Sequence, residues 1–112
     1  WLLEIVAGII DPGEQAEQVV RREAVEEAGL TIGRAEFIID FLVSPGGTSE
    51  RIALFCGEVD ASGAGGIHGL QEEGEDIRVT SVPYEDAVQM LAAGRLNSAS
   101  VIIAMQWLML NR

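Results

Sequence analysis

An α/β domain is predicted by three observations. Apolar runs of strand length recur in WLLEIVAG, AEFIIDFLV and RIALFCGEV. A stretch of helical periodicity, closed by a glycine, lies between the first run and the second. Two more helical stretches occupy the last thirty residues or so of the 112.

WLLEIVAG reads as a buried strand ending at Gly8, and the DPGE turn follows at Asp11 to Glu14. Pro12 and Gly13 admit a helix from about Glu14 to Ala28, with Gly29 as its left-handed terminator. AEFIIDFLV and RIALFCGEV, joined by SPGGTSE, read as a hairpin. Residues 60 to 76, DASGAGGIHGLQEEGED, show no helical or strand periodicity, and a loop of that length in a compact domain is usually functional or disordered. IRVTSVP is a short strand. Helices are expected over Pro83 to Ala93 and Asn97 to Leu110, the second capped by Asn97 or Ser98 and carrying an apolar stripe through Val101, Ala104, Met105 and Leu108.

At 48% hydrophobic and 22% charged the chain suits one globular domain. Eighteen acidic residues against seven basic give a net charge of -11, with no basic cluster to track a phosphate backbone, so nucleic acid is excluded as a partner. Such a chain repels anionic small molecules unless a bound cation reverses the local field. Cys56 is the single cysteine, which precludes an intrachain disulfide and suits a reducing, cytoplasmic setting. The run VIIAMQWLML is about half the length of a membrane span, and no membrane partner is expected. The sequence opens on Trp1 inside an apolar run without an initiator methionine, so an N-terminal portion is expected to be missing.

REAVEEAG places Glu23, Glu26 and Glu27 within one and a half helical turns. At about 100° per residue, Ala16, Val20, Ala24 and Ala28 form one stripe with Val19 at its edge. Glu23 and Glu27 fall at the margin of that apolar face, whereas Val25 points away. Like charges at i, i+4 destabilise a helix by roughly 0.2–0.5 kcal/mol even when exposed, and burial raises the cost. Arg21 projects away from the glutamate pair; Arg22 reaches back to Glu14 or forward to Glu26. A divalent cation is the simplest partner, and an all-oxygen donor set favours Mg²⁺ or Mn²⁺ over Zn²⁺. The alternative is a solvated acidic helix with incidental spacing.

From Gly8 the sequence GIIDPGEQAEQVVRREAVEEAGL resembles the Nudix box G-x5-E-x7-R-E-U-x-E-E-x-G-U over 23 positions, with Gly8, Glu14, Arg22, Glu23, Glu26, Glu27, Gly29 and Leu30 in the specified places. The departure is Ala24, where a larger aliphatic residue is usual. The resemblance implies a Nudix fold across residues 1–112, an α/β/α sandwich with a mixed sheet, some of whose strands would precede Trp1. It implies metal ligation by Glu23, Glu27 and the Ala7 carbonyl, with Glu26 alongside as a catalytic group and Arg22 paired to Glu14 to orient the site.

SPGGTSE places Pro45 fifteen residues beyond Leu30, and a proline near that offset resembles the marker of the bacterial ADP-ribose pyrophosphatase subgroup; the resemblance implies Pro45, Gly46, Gly47, Ser49 and Glu50 as substrate contacts, and an ordinary glycine turn is the competing account. GIHGLQEEGEDIRV resembles that subgroup's acidic loop, with Glu73 as candidate base and Glu75 as a further metal ligand; a solvated acidic loop competes. The implied reaction is hydrolysis of ADP-ribose to AMP and ribose 5-phosphate by a homodimer. Two alternatives stay open: another nucleoside diphosphate sugar such as GDP-mannose, or a ligand-binding regulator without turnover. His68 is read as a surface residue, Cys56 as packed core, and Trp107 and Met105 as core or subunit interface. Expressed alone, the 112 residues are expected to expose apolar surface.

Overall fold

The computed structural model describes residues 3–60, 66–68 and 77–112. In chain order the elements are α1 (Ala16–Ala28), β1 (Ile32–Leu42), β2 (Arg51–Val59), β3 (Gly66–His68), β4 (Ile77–Val79), α2 (Tyr84–Ala92) and α3 (Ala99–Leu110). They gather into two compact units: Val6–Ala35 with Gly57–Ser81, and Trp1–Ile5 with Glu36–Cys56 and Val82–Arg112. The chain is α/β, as its sequence predicts. The described strands form two separate pairs, β1 with β2 and β3 with β4, rather than one mixed sheet.

The unit built from Val6–Ala35 and Gly57–Ser81 centres on α1. The turn before the helix closes with the Glu14 amide donating to the Asp11 carbonyl at 3.0 Å, and Gly13 takes the positive φ of 87° that the turn requires. At the start of α1, Gln18 reaches back to accept from the Gln15 amide at 3.2 Å, the return half of a capping box built from glutamines. At its end Gly29, at φ 66°, reverses the chain, while the Gly29 and Leu30 amides donate to the carbonyls of Val25 and Ala24. Val19, Ala24 and Ala28 are buried and Val25 is exposed, which is the face the helical wheel assigns. The helix packs on β3 and β4, which run antiparallel with Ile67 opposite Arg78.

In the other unit the hairpin is closed by the Val43 amide donating to the Glu50 carbonyl at 3.1 Å. Phe37 and Phe55 meet edge-on across the strands, ring centroids 5.5 Å apart. Leu54, Leu96 and Val101 are buried, α2 packs on α3, and the Arg112 guanidinium stacks over Tyr84 at 3.6 Å from the ring centre. Half-buried positions on β1 fall at every third residue, Ile32, Ala35, Ile38 and Phe41, so the strand lacks one continuously covered face. A two-stranded ribbon twists more than a strand inside a wide sheet, and its side chains rotate out of simple alternation.

Two expectations are corrected. Leu3 to Gly8 is not a strand: a strand needs a neighbour to pair its backbone, and here the Ala7 amide donates to a side chain instead. The stretch 60 to 76 is not wholly a loop, because Gly66–His68 pairs with β4; three residues are too few to show a period. The C-terminal helices match closely, with Pro83 and Ser98 at the cap positions. Ser98 takes the extended cap geometry, yet its buried hydroxyl makes no capping bond.

Candidate active site

The residues of the acidic cluster are positioned by α1 and by the extended segment before it. Glu23 lies against Gly8 so closely that a Cβ on Gly8 would stand 2.3 Å from its Cγ and 2.7 Å from Oε1. Its side chain is only 14% exposed, which places a carboxylate at the edge of the apolar face as the wheel implies. One turn on, the Ala7 amide donates to Glu27 Oε1 at 3.0 Å. Two glutamates four residues apart are thus brought against two consecutive backbone units, Ala7 and Gly8.

Arg22 joins this cluster to the start of the loop. It pairs with Glu14 and also lies 3.6 Å from Glu23 Oε1. Glu14 in turn accepts from the Asp11 amide at 3.1 Å, and this bond, followed by the one from Arg22, holds its carboxyl below the usual 4.5. The Glu14 hydrogen bond likewise raises the Arg22 pKa. Of the two reaches open to Arg22 the structure takes the one back to Glu14; its further contact is with Glu23, and half-buried Glu26 adds its charge.

Among the described residues, no three His, Cys, Asp or Glu side chains converge as a ready metal cage. Mg²⁺ does not demand one, since it keeps several waters and takes one or two protein carboxylates together with substrate phosphates. The Glu23 and Glu27 carboxylates are oxygen donors of that kind, while the backbone group that Ala7 turns to Glu27 is its N–H and not the carbonyl expected as a ligand. Glu73 and Glu75, the candidate base and further ligand, lie outside the described residues, as does Glu72.

The candidate substrate loop belongs to the other unit. Pro45, Gly46, Gly47, Ser49 and Glu50 are all exposed, and the turn is held by the Gly47 and Thr48 amides donating to the Ser44 carbonyl at 2.9 and 2.8 Å. Arg51, just beyond it, pairs with Asp40 across the hairpin at 3.4 Å. Cys56 and Trp107 are half-buried. His68 falls in β3.

Sequence reasoning missed four contacts around α1. The Asp11 and Ala7 amides act through the backbone, for which side-chain identity gives no signal. The glutamine cap at Gln15 and Gln18 lies outside the Ser/Thr-x-x-Glu pattern, but the Q-x-x-Q spacing itself was there to read. Arg21, seen only as pointing away, donates to the Ile32 carbonyl at 2.7 Å.

The NUDIX domain family model matches residues 1–104 of the chain. An ADP-ribose pyrophosphatase of Escherichia coli (strain K12) is 55% identical over 111 residues, 99% of this chain and 53% of that protein. An ADP-ribose pyrophosphatase of Haemophilus influenzae is 47% identical over 99% of the chain and 51% of its own length. A GDP-mannose pyrophosphatase of Pectobacterium atrosepticum is 37% identical over 94% of the chain and 53% of its own length. The chain therefore spans about half the length of the curated relatives it matches.

Proposed function

Since the chain belongs to the NUDIX domain family, we propose that it carries the catalytic site for hydrolysis of ADP-ribose to AMP and ribose 5-phosphate. The observation that supports this reading is the seating of Glu23 on Gly8 and of Glu27 on the Ala7 amide, which brings two carboxylates of the α1 helix against consecutive backbone units. The choice of ADP-ribose over GDP-mannose is supported by the higher identity to relatives named for the former, 55% against 37%.

Glu23, Glu27, the Ala7 carbonyl and Glu75 would hold Mg²⁺ or Mn²⁺. When bound, the cation neutralises diphosphate oxygens and lowers the pKa of a coordinated water. Arg22, fixed by Glu14, keeps Glu23 aligned and balances its charge. Glu26, on the same turn, adds to the negative field that draws the cation in. Glu73 takes the proton of the attacking water, a role that typically contributes about 10²–10⁴-fold to rate. Pro45, Gly46, Gly47, Ser49 and Glu50, all exposed, would be the contacts to the nucleotide sugar. A homodimer acting in the cytoplasm completes the reading; the single cysteine suits a reducing compartment. No helix among the described residues is long and apolar enough to cross a membrane.

The test is product formation from ADP-ribose with Mg²⁺, using the full-length protein, Glu27→Gln and Glu73→Gln, with GDP-mannose as competing substrate. The parent releases AMP. Glu27→Gln loses more than the roughly 10–100-fold typical of an outer-shell partner, and Glu73→Gln falls by on the order of 100-fold or more. Folded, Mg²⁺-binding protein that turns over neither substrate would assign the glutamates to ligand binding alone.

A further inference from the structure

We infer that Arg21 is a positioning residue for the glutamate-bearing end of α1: it ties the chain leaving the helix back onto the helix and so fixes where Glu26 and Glu27 stand. The inference rests on the reading of the acidic cluster as a cation site. Three residues separate Ala28, the last of α1, from Ile32, the first of β1. Gly29 reverses the chain between them. The Ile32 carbonyl then accepts from Arg21 Nη1 at 2.7 Å, eleven residues back along the chain. Glu17, one turn earlier on the helix, lies 3.6 Å from Arg21 Nε and aligns the guanidinium.

The residue whose carbonyl is held cannot slide freely. Gly57 of β2 leaves a notch that the Ile32 side chain fills, so closely that a Cβ at Gly57 would meet three Ile32 carbons at 3.1 to 3.3 Å. Arg21 therefore grips a fixed point. At about 100° per residue it lies roughly opposite Glu23 on the helix. Glu23 is seated on Gly8 and Glu27 on the Ala7 amide, so α1 is held from both sides. Release on the Arg21 side leaves the helix end held by its glycine cap and by the metal-facing side alone, and the Glu27 carboxylate is then less firmly placed.

Guanidinium is suited to this task because it serves the Glu17 carboxylate and the Ile32 carbonyl with separate N–H groups. Lysine offers one donor head that can keep the carbonyl bond. Methionine fills similar space and offers none.

The experiment uses full-length protein bearing Arg21→Met, Arg21→Lys or Glu17→Gln. Mn²⁺ affinity is measured by electron paramagnetic resonance without substrate, and amide exchange of Gly29 and Leu30 is followed in metal-free protein. Arg21→Met weakens Mn²⁺ binding roughly 3- to 10-fold, less than the 10–100-fold seen when a partner bonded directly to a ligand is lost, and lowers protection of both amides. Arg21→Lys restores most of both. Glu17→Gln shifts them in the same direction by less, and carries the test if Arg21→Met does not fold. Parent-like affinity and protection in folded Arg21→Met, or an equal loss in Arg21→Lys, overturns the positioning role alone. Failure of the parent itself to bind Mn²⁺ overturns the cation-site reading and this inference with it.

Discussion

Gly8 has no side chain because Glu23 already occupies the space one would fill. The overlap runs along the Glu23 side chain from Cγ through Cδ to the carboxylate Oε1, so relieving it displaces the whole end of that side chain. Gly8→Ala therefore moves the carboxylate rather than being absorbed around it. Since Gly8 is itself exposed, the fold loses little. The expected outcome is a large loss of Mn²⁺ affinity, on the order of 10-fold or more by analogy with disturbed ligand support, with a nearly unchanged thermal melt. A variant that binds Mn²⁺ like the parent would separate the Gly8 contact from metal binding. At this scale much was legible. The box spacing picks out Glu14, Arg22, Glu23 and Glu27, and the wheel places the last two at the edge of the apolar face. What supports them was less legible, because the Ala7 and Asp11 amides are identical in every residue but proline, and only folding aims them.

Loop and helix act together at the start of α1, where Glu14 accepts from the Asp11 amide and from Arg22. Both bonds favour the carboxylate, so its folded pKa lies below its unfolded value of about 4.5. A depressed pKa contributes stability that is complete above the unfolded value and is lost as pH falls through the folded one. Acid unfolding of the parent should thus have a steeper pH dependence below about 4.5 than Glu14→Gln, with the two running parallel above it. Equal slopes in chemical denaturation from pH 3 to 6 would remove the linkage. The helices were well read from sequence because α1 ends on Gly29 and α2 follows Pro83, residues whose backbone limits are intrinsic. Strands were harder. Leu3 to Gly8 has strand composition but no strand partner, and β3 becomes a strand only by meeting β4. Pairing of that kind is a property of two segments, and neither contains it alone.

Few apolar side chains among the described residues are buried, in a chain that is 48% hydrophobic. Among the described residues the buried apolar side chains are Val19, Ala24, Ala28, Leu54, Leu96 and Val101, while Phe37 is 55%, Ile9 81% and Leu110 85% exposed. Surface of this kind drives association. The 112-residue chain by itself is expected to bind a hydrophobic dye and to elute as several species in size exclusion with light scattering. A single dye-free monomer with a cooperative melt would contradict that. The location of this exposure on Phe37 and Ile39 was not legible in the sequence, because it depends on how the hairpin twists. The division into two units has a practical side as well. Phe37, Phe41, Phe55, Tyr84 and both tryptophans belong by sequence to the unit of Trp1–Ile5, Glu36–Cys56 and Val82–Arg112, and the unit holding Glu23 and Glu27 contains no aromatic residue. Near-ultraviolet absorption, near-ultraviolet circular dichroism and intrinsic fluorescence therefore report on one unit, and the unit holding Glu23 and Glu27 is silent in all three. At 222 nm α1 contributes beside α2 and α3, so a transition seen at 222 nm but not in tryptophan fluorescence would show the two units unfolding separately, without any label being introduced.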